Sequence, residues 1–119
     1  MSTFPLSRRA IVAAAVSLAA PMAMAQAPAK LRVGFMLPAT GTFAALGAAI
    51  ENGFRLHLAE QGGKLGGREV EFFKVDDESD PSKAIDNVNK LIKRDNVDVL
   101  IGSVHSGVAM AMARVAKQS

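Results

Sequence analysis

Apolar residues along this chain follow two spacings that alternate. Residues 31–37, "LRVGFML", form a nearly continuous apolar run, which is typical of a strand buried on both faces of a parallel sheet. Further on, apolar side chains recur every four positions, at Leu46, Ile50, Phe54 and Leu58, which predicts a helix over residues 48–62 with these side chains packed inward. Gly53 inside this helix suggests a close packing contact, because glycine otherwise weakens a helix interior.

The same alternation occurs twice more. Residues 68–78 predict a second strand, and Asp80-Pro81 predicts the start of a second helix, with the aspartate as N-cap and the proline in the first helical position. The apolar stripe expected to pack this helix is Ala84, Ile85, Val88, Leu91 and Ile92. Residues 97–102 predict a third strand, and a last helix follows from Gly107.

Strand and helix in strict alternation indicate an α/β fold. The pattern predicts a doubly wound parallel sheet, βαβαβα, with strand order 2-1-3 and right-handed crossovers. Ligands of such sheets bind beyond the carboxyl ends of the strands, where the strand order reverses. The loops after the first and third strands, residues 38–47 and 102–107, are therefore the expected crevice.

Residues 1–25 have the features of a signal peptide. Arg8 and Arg9 precede eleven mostly apolar residues from Ala10 to Ala20, and Ala23-Met24-Ala25 fits a leader peptidase site. The apolar run is shorter than the ~20 residues that a membrane span needs, which argues against a retained anchor. We expect export to the periplasm by the Sec or the twin-arginine route, with residues 26–119 forming the folded domain.

Composition narrows the function classes. Without Arg8 and Arg9 the net charge falls from +3 to +1, so the chain offers no cationic surface for nucleic acid. The chain has no cysteine, and its two histidines, His57 and His105, are far apart, so neither a disulfide nor a zinc site is expected. We expect no cofactor.

The turn before the last helix, residues 102–107, concentrates polar side chains. Ser106 is the predicted N-cap, with Gly107 just inside the helix, and a helix start offers free amides and a partial positive charge to a carboxylate. His105 is a candidate donor to an anionic or phenolic oxygen. The alternatives are a serine that only caps its own helix and a histidine that is only a polar loop residue.

Catalysis has little support in the sequence. A carboxylate pair within Asp76, Asp77, Glu78 and Asp80 is one way to bind Mg²⁺, but these residues follow the second strand, beside the crevice, and a solvated acidic turn is the preferred interpretation. A G-x-G-x-x-G motif is absent after the first strand. Ser103 and Ser106 have no acid–base partner nearby except His105, so no catalytic residue is predicted.

Residues 30–111 resemble the start of periplasmic solute-binding proteins of the leucine/isoleucine/valine type. The resemblance rests on "TG" after the first strand, on "LGGREVE", on "DDESDPSKA" before a helix ending in "KLI", and on "VDVLIGSVHSG". It implies a type I periplasmic binding fold with two lobes that close over a small carboxylate and deliver it to an ABC permease in the inner membrane. On this resemblance the chain is an N-terminal fragment, part of the first lobe.

The resemblance also assigns roles. Ser106 matches the serine that contacts the ligand carboxylate, and Phe43 and Leu46 match the apolar wall of the cleft. Some members have a cysteine pair at the positions of Ser79 and His105, and that brace is missing here. The turn "SVHSGVAMAMA" is similar to members that take up aromatic carboxylates. The predicted ligand-binding set is Ser103, His105, Ser106, Gly107, Phe43 and Leu46, and the alternative functions are a sensory receptor domain or, with less support, an exported α/β enzyme.

Overall fold

The computed structural model describes residues 26–119, and the predicted signal peptide, residues 1–25, lies outside the described residues. The elements, in chain order, are β1 Leu31–Leu37, α1 Ala44–Glu60, β2 Lys64–Leu65, β3 Arg68–Asp76, a 3₁₀ turn Pro81–Lys83, α2 Ala84–Asn89, a π-helical turn Lys90–Arg94, β4 Val99–Gly102 and α3 Ser106–Lys117. Within residues 26–119, no helix combines the length and the hydropathy that crossing a membrane requires.

The sheet confirms the predicted order of the three long strands. β1 lies in the middle and pairs in parallel with β3 on one side and β4 on the other. Met36 is opposite Val75 on β3 and Gly102 on β4, so the three strands end together. We call this side of the sheet the carboxyl edge and the opposite side, where β1, β3 and β4 begin, the amino edge.

The sheet also has a short antiparallel strand that the sequence analysis missed. β2 pairs with the start of β3, with Leu65 opposite Arg68. Only Gly66 and Gly67 separate the two strands, and both have positive φ, 56° and 76°. A two-residue hairpin turn whose central residues both have positive φ favours glycine, so Gly66 and Gly67 form the turn between β2 and β3.

Side chains of β1 alternate between two cores. Val33, Phe35 and Leu37 are buried on the side of α1, where Phe35 packs edge-on against Phe54 at 5.2 Å between ring centroids. Met36 is buried on the other side of the sheet, in a cluster completed by Ala84 and Val88 of α2, Leu91 of the π-helical turn, and Val108 and Val115 of α3. Helices therefore cover both faces of the sheet, as a doubly wound fold requires.

The predicted packing of α1 is only partly right. The helix begins at Ala44, one turn earlier than expected, and two members of the predicted stripe, Leu46 and Ile50, are 53% and 42% exposed. Gly47 is buried in their place, because its missing side chain lets the helix approach the backbone of Pro38. Gly53 makes no such contact, since a Cβ there would meet nothing within 4 Å.

The second helical segment begins as predicted. The Asp80 side chain accepts a hydrogen bond from the Ser82 amide at 2.8 Å, and Pro81 is the first residue of the 3₁₀ turn. Ala84, Val88 and Leu91 are buried, whereas Ile85, placed in the predicted stripe, is 49% exposed. The strands on either side are each two residues shorter than predicted, β3 ending at Asp76 and β4 beginning at Val99.

Candidate functional site

Three connecting segments meet at the carboxyl edge. Residues 38–43 follow β1, residues 77–80 follow β3, and residues 103–105 follow β4. Because β1 lies between β3 and β4, the first segment has the other two on either side. This is the location that the topology predicts for a ligand crevice.

Asp76 joins the first two segments. Its carboxylate accepts hydrogen bonds from the Ala39 amide at 2.8 Å, from the Thr40 hydroxyl at 2.7 Å and from the Glu78 amide at 2.8 Å. Burial disfavours the charged carboxylate, but these hydrogen bonds, the Thr40 hydroxyl first, outweigh it and lower the pKa of Asp76. An ionised Asp76 therefore holds the segment after β1 in place.

Ser79 makes a second connection, which positions Phe43. The Phe43 amide donates to the Ser79 hydroxyl at 3.2 Å. Glu78 and Ser79 both have positive φ, 50° and 59°. A Cβ on Gly41 would lie only 2.5 Å from the Glu78 carbonyl oxygen. Gly41 has a φ of 82°, so both its conformation and this close approach require glycine.

The start of α3 differs from the prediction. Ser106 is the first helical residue, and the N-cap is His105, which has extended dihedral angles and accepts the Gly107 amide on its imidazole Nδ1 at 3.0 Å. The prediction of Ser106 as N-cap is therefore wrong, because the imidazole reaches the amide that a capping serine would normally take. An Nδ1 that accepts leaves the proton of a neutral imidazole on Nε2, where it is a donor.

The capping arrangement decides which donors remain for a ligand. The Gly107 amide is taken by His105, and the Ser103 hydroxyl donates to the His105 carbonyl at 2.9 Å. Among residues 26–119, the amides of Ser106 and Val108 have no protein acceptor, and Ser106 is exposed. Val108 is fully buried, so the donors still accessible at the first turn of α3 are the Ser106 amide, the Ser106 hydroxyl and His105 Nε2–H.

Aromatic rings flank this helix start. The rings of Phe43 and His105 lie 6.2 Å apart between centroids, tilted by 58°. Both side chains are half-buried, so each keeps a face toward the crevice or solvent. The structure thus brings Phe43, Ser103, His105, Ser106 and Gly107 into one region. Leu46 lies in the first turn of α1 with its side chain mostly exposed, and its contact with a ligand stays a prediction.

Asp77 is the residue that the sequence analysis misjudged. Instead of belonging to a solvated turn it is fully buried, with Oδ1 accepting the Ser79 amide at 2.8 Å and Oδ2 without any hydrogen-bond partner among the described residues. Burial raises the pKa of Asp77, opposed by the Ser79 amide, while Asp76 raises it further and His105 lowers it. The sequence signal for the burial of Asp77 was its position directly after a strand, at the edge where the loops meet.

Two other site types have less support. Within residues 26–119, no three side chains of the metal-binding types come together. A cavity of about 530 Å³ lies between β3 and α2, and three of its four cations already have acidic partners, while the fourth, Lys90, donates to the Asn87 side chain at 3.4 Å. The pairs are Lys74 with Glu51, Lys83 with Glu78 and Arg94 with Asp95.

Comparison with known proteins gives a consistent result. Residues 30–119 match the family model described as periplasmic binding protein. The chain is 36% identical over 84 residues to Leu/Ile/Val-binding protein homolog 2 of Brucella abortus (strain 2308), a match that covers 69% of this chain and 22% of the relative.

Solved structures resemble it as well. A solute-binding protein of an ABC transporter from R. palustris, in complex with benzoate, is 56% identical, with a TM-score of 0.73 over 75% of this chain and 25% of the other. A second one, from Rhodopseudomonas palustris BisB5 and in complex with 3,4-dihydroxybenzoic acid, is 30% identical, with a TM-score of 0.70 over 76% and 24% of the two chains. The chain spans about a quarter of the length of these proteins.

Proposed function

The chain belongs to the periplasmic binding protein family, and from this membership we propose that it forms the start of the first lobe of an extracytoplasmic solute-binding protein. The protein captures a small carboxylate, without any catalytic step, and delivers it to the permease of an ABC importer. Residues 1–25 are the signal peptide that brings it to the periplasm. The two solved relatives named above, one with benzoate and one with a dihydroxybenzoate, support this class of solute.

The observation that carries the proposal is the set of free donors at the start of α3. The Ser106 amide, the Ser106 hydroxyl and His105 Nε2–H lie at the positive end of a twelve-residue helix. A carboxylate bound there gains charge-assisted hydrogen bonds and a favourable interaction with the helix dipole. A neutral solute of the same shape gains less, so the site favours an anion.

The same region favours an aromatic acid over an aliphatic amino acid. Phe43 and His105 offer two rings at a separation suited to stacking or edge contact with a third ring. Benzoate and 3,4-dihydroxybenzoic acid, the ligands of the two solved relatives, both lack the ammonium group of an amino acid. We therefore propose a benzoate-type acid as the solute, with the branched-chain amino acids as the competing class.

Capture requires a second lobe that closes over the solute. In such a mechanism the solute binds the closed form more tightly than the open one, and this difference in affinity drives the closure. The carboxylate is placed first, at α3, because its donors belong to a rigid helix that is packed on the core through Val108 and Val115. The aromatic ring of the solute then remains available for contact with the closing lobe.

Isothermal titration calorimetry on the full-length gene product that contains residues 30–119 tests this function. We expect binding heat with benzoate and 4-hydroxybenzoate, and much weaker binding of benzamide, which keeps the ring and lacks the charge. Leucine serves as the competing solute. Heat with leucine and none with either aromatic acid would refute the aromatic assignment, and no heat with any of them would refute the carboxylate site.

A further inference from the structure

Asp77 is a buried carboxyl group that the proposed binding mode does not use. It has no exposed surface, and among residues 26–119 only one of its oxygens has a hydrogen-bond partner, the Ser79 amide. A negative charge in such a place is costly unless it is paired or receives several hydrogen bonds. A neutral carboxylic acid avoids much of this cost.

The groups around Asp77 give it little compensating charge. Asp76 lies at the end of β3, and Glu78 and Asp80 belong to the same connecting segment as Asp77 itself. The 3₁₀ turn contributes Lys83, which is paired with Glu78. Residues 38–43, after β1, contain no titratable side chain. Burial and the charge of Asp76 raise the pKa of Asp77, whereas the Ser79 amide and His105, from the turn before α3, lower it.

We propose that the crevice binds its carboxylate together with a proton, which is held on Asp77. This inference rests on the proposed function, because it requires an anion at the start of α3. It assigns Asp77 as a residue that tunes affinity without touching the solute. The proton comes from solvent and neutralises the Asp77 carboxylate when the solute arrives.

Electrostatic repulsion couples the binding of the solute carboxylate to the protonation of Asp77. A solute carboxylate near His105 adds a second negative charge close to Asp77, in a region where burial limits screening. The charged form of Asp77 then becomes less favourable, so binding the anion promotes protonation. Because coupling between two binding events is reciprocal, protonation of Asp77 must increase the affinity for the anion by the same factor.

Protonation of His105 is the rival source of a pH dependence. An imidazolium would also attract the anion as the pH falls, but it would lose the bond in which Nδ1 accepts the Gly107 amide. The Asp77→Asn variant separates the two cases. It keeps an acceptor for the Ser79 amide and removes the titrating group, whereas His105 stays unchanged.

The test is calorimetric titration of benzoate into the full-length gene product over a pH series from about pH 4, the ordinary pKa of an aspartate, to about pH 9. We expect the affinity to fall by up to about tenfold per pH unit above the pKa of Asp77 in the free protein. Asp77→Asn should bind with little pH dependence, near the low-pH affinity of the unmodified protein. Glu78→Gln, which removes the neighbouring exposed charge, is the matched control and should keep the pH dependence of benzoate affinity.

Proton uptake gives a second readout that does not depend on a variant folding. Titrations in buffers of different ionisation enthalpy should show up to about one proton taken up per solute in the steep part of the profile. Affinity without a pH slope, or a slope that persists in Asp77→Asn, overturns the coupling and leaves the binding function intact. Absence of benzoate binding at every pH refutes the proposed function itself.

Discussion

The two edges of the sheet carry polar groups in very different states. At the amino edge, Arg32 and Asp98 exchange backbone and side-chain hydrogen bonds, with the Arg32 amide donating to the Asp98 carboxylate at 2.9 Å and the Asp98 amide donating to the Arg32 carbonyl at 2.7 Å. Arg68 donates to the same carboxylate at 3.0 Å. At the carboxyl edge, the Ser106 amide and one oxygen of Asp77 have no hydrogen-bond partner among residues 26–119.

This contrast indicates where the molecule is stabilised, and it agrees with the place at which we propose that it binds a solute. The Arg32 guanidinium donates twice to the Asp95 carbonyl, at 2.9 Å and 2.7 Å, and lies over the Phe73 ring at 4.4 Å. Such groups have no capacity left for a solute. Unsatisfied groups cost stability and are tolerated where a ligand satisfies them. Variants at the two edges should therefore separate stability from affinity.

The largest effect on stability is expected at the carboxyl edge, from a residue that has no polar role. A methyl group in Gly47→Ala would overlap the Pro38 carbonyl oxygen, which belongs to the segment held by Asp76. We expect a loss of about 3 kcal/mol in the free energy of unfolding, measured by chemical denaturation. Gly53→Ala, in the same helix but in open space, should instead stabilise by up to about 1 kcal/mol. Equal effects of the two changes would contradict the packing described for α1.

Removing the guanidinium at the amino edge should cost somewhat less. Arg32→Ala loses both hydrogen bonds to the Asp95 carbonyl and the contact with Phe73, which predicts a loss of about 2 kcal/mol in stability. Arg32→Lys should recover only part of it, because an ammonium lacks the planar fork. Solute affinity should not change in either variant. A clear fall in affinity would show that the two edges are not independent.

Ser106→Ala should lower the affinity for the solute and leave the stability unchanged. Loss of the hydroxyl donor is expected to lower the affinity for benzoate about tenfold, equivalent to about 1.4 kcal/mol, with the melting temperature unchanged. The side chain is exposed and does not cap α3, which is why stability should be spared. Ser106→Thr keeps the hydroxyl and is the control. An unaltered affinity in Ser106→Ala would remove the hydroxyl from the site.

The smallest effects should appear in the pH dependence of stability, and they have opposite signs at the two edges. The hydrogen bond from the Arg32 amide, followed by the charge of Arg68, lowers the pKa of Asp98 against the opposing effect of burial. Its contribution is therefore present above the pKa in the unfolded chain and is lost as the pH falls through the folded-state pKa. The raised pKa of Asp77 makes stability fall as the pH rises from the unfolded-state to the folded-state value.

Denaturant titrations over a pH series check these signs. Asp98→Asn should flatten the acidic side of the stability profile, and Asp77→Asn should flatten the decline above it. The two variants act at sites far apart in the sheet, so their effects should add. A profile in which Asp77→Asn costs stability at higher pH but not at low pH would contradict the raised pKa.

Much of the fold could be predicted because short-range patterns determine it. The apolar run of β1 and the Asp80-Pro81 helix start reflect burial and backbone geometry that neighbouring residues decide. The exposure of Leu46 and Ile50 could not be predicted, because it depends on how α1 lies against the sheet. Gly47, which allows the close approach to Pro38, matters more there than the four-residue apolar spacing.

The site was predictable in place but not in detail. Topology alone located the crevice at the ends of β1 and β4, and Phe43, His105 and Ser106 are found there. The exchange of roles between Ser106 and His105 was not predictable, because it depends on the rotamer of one imidazole. The burial of Asp77 results from contacts between loops that are distant in sequence, so an acidic run was taken for a solvated turn.

A crystal structure of the full-length gene product with 4-hydroxybenzoate tests the central claim most directly. We predict that the solute carboxylate lies about 3 Å from the Ser106 hydroxyl and from the Ser106 amide, with its ring beside Phe43. A carboxylate bound elsewhere, with the first turn of α3 facing away from the solute, would contradict the account.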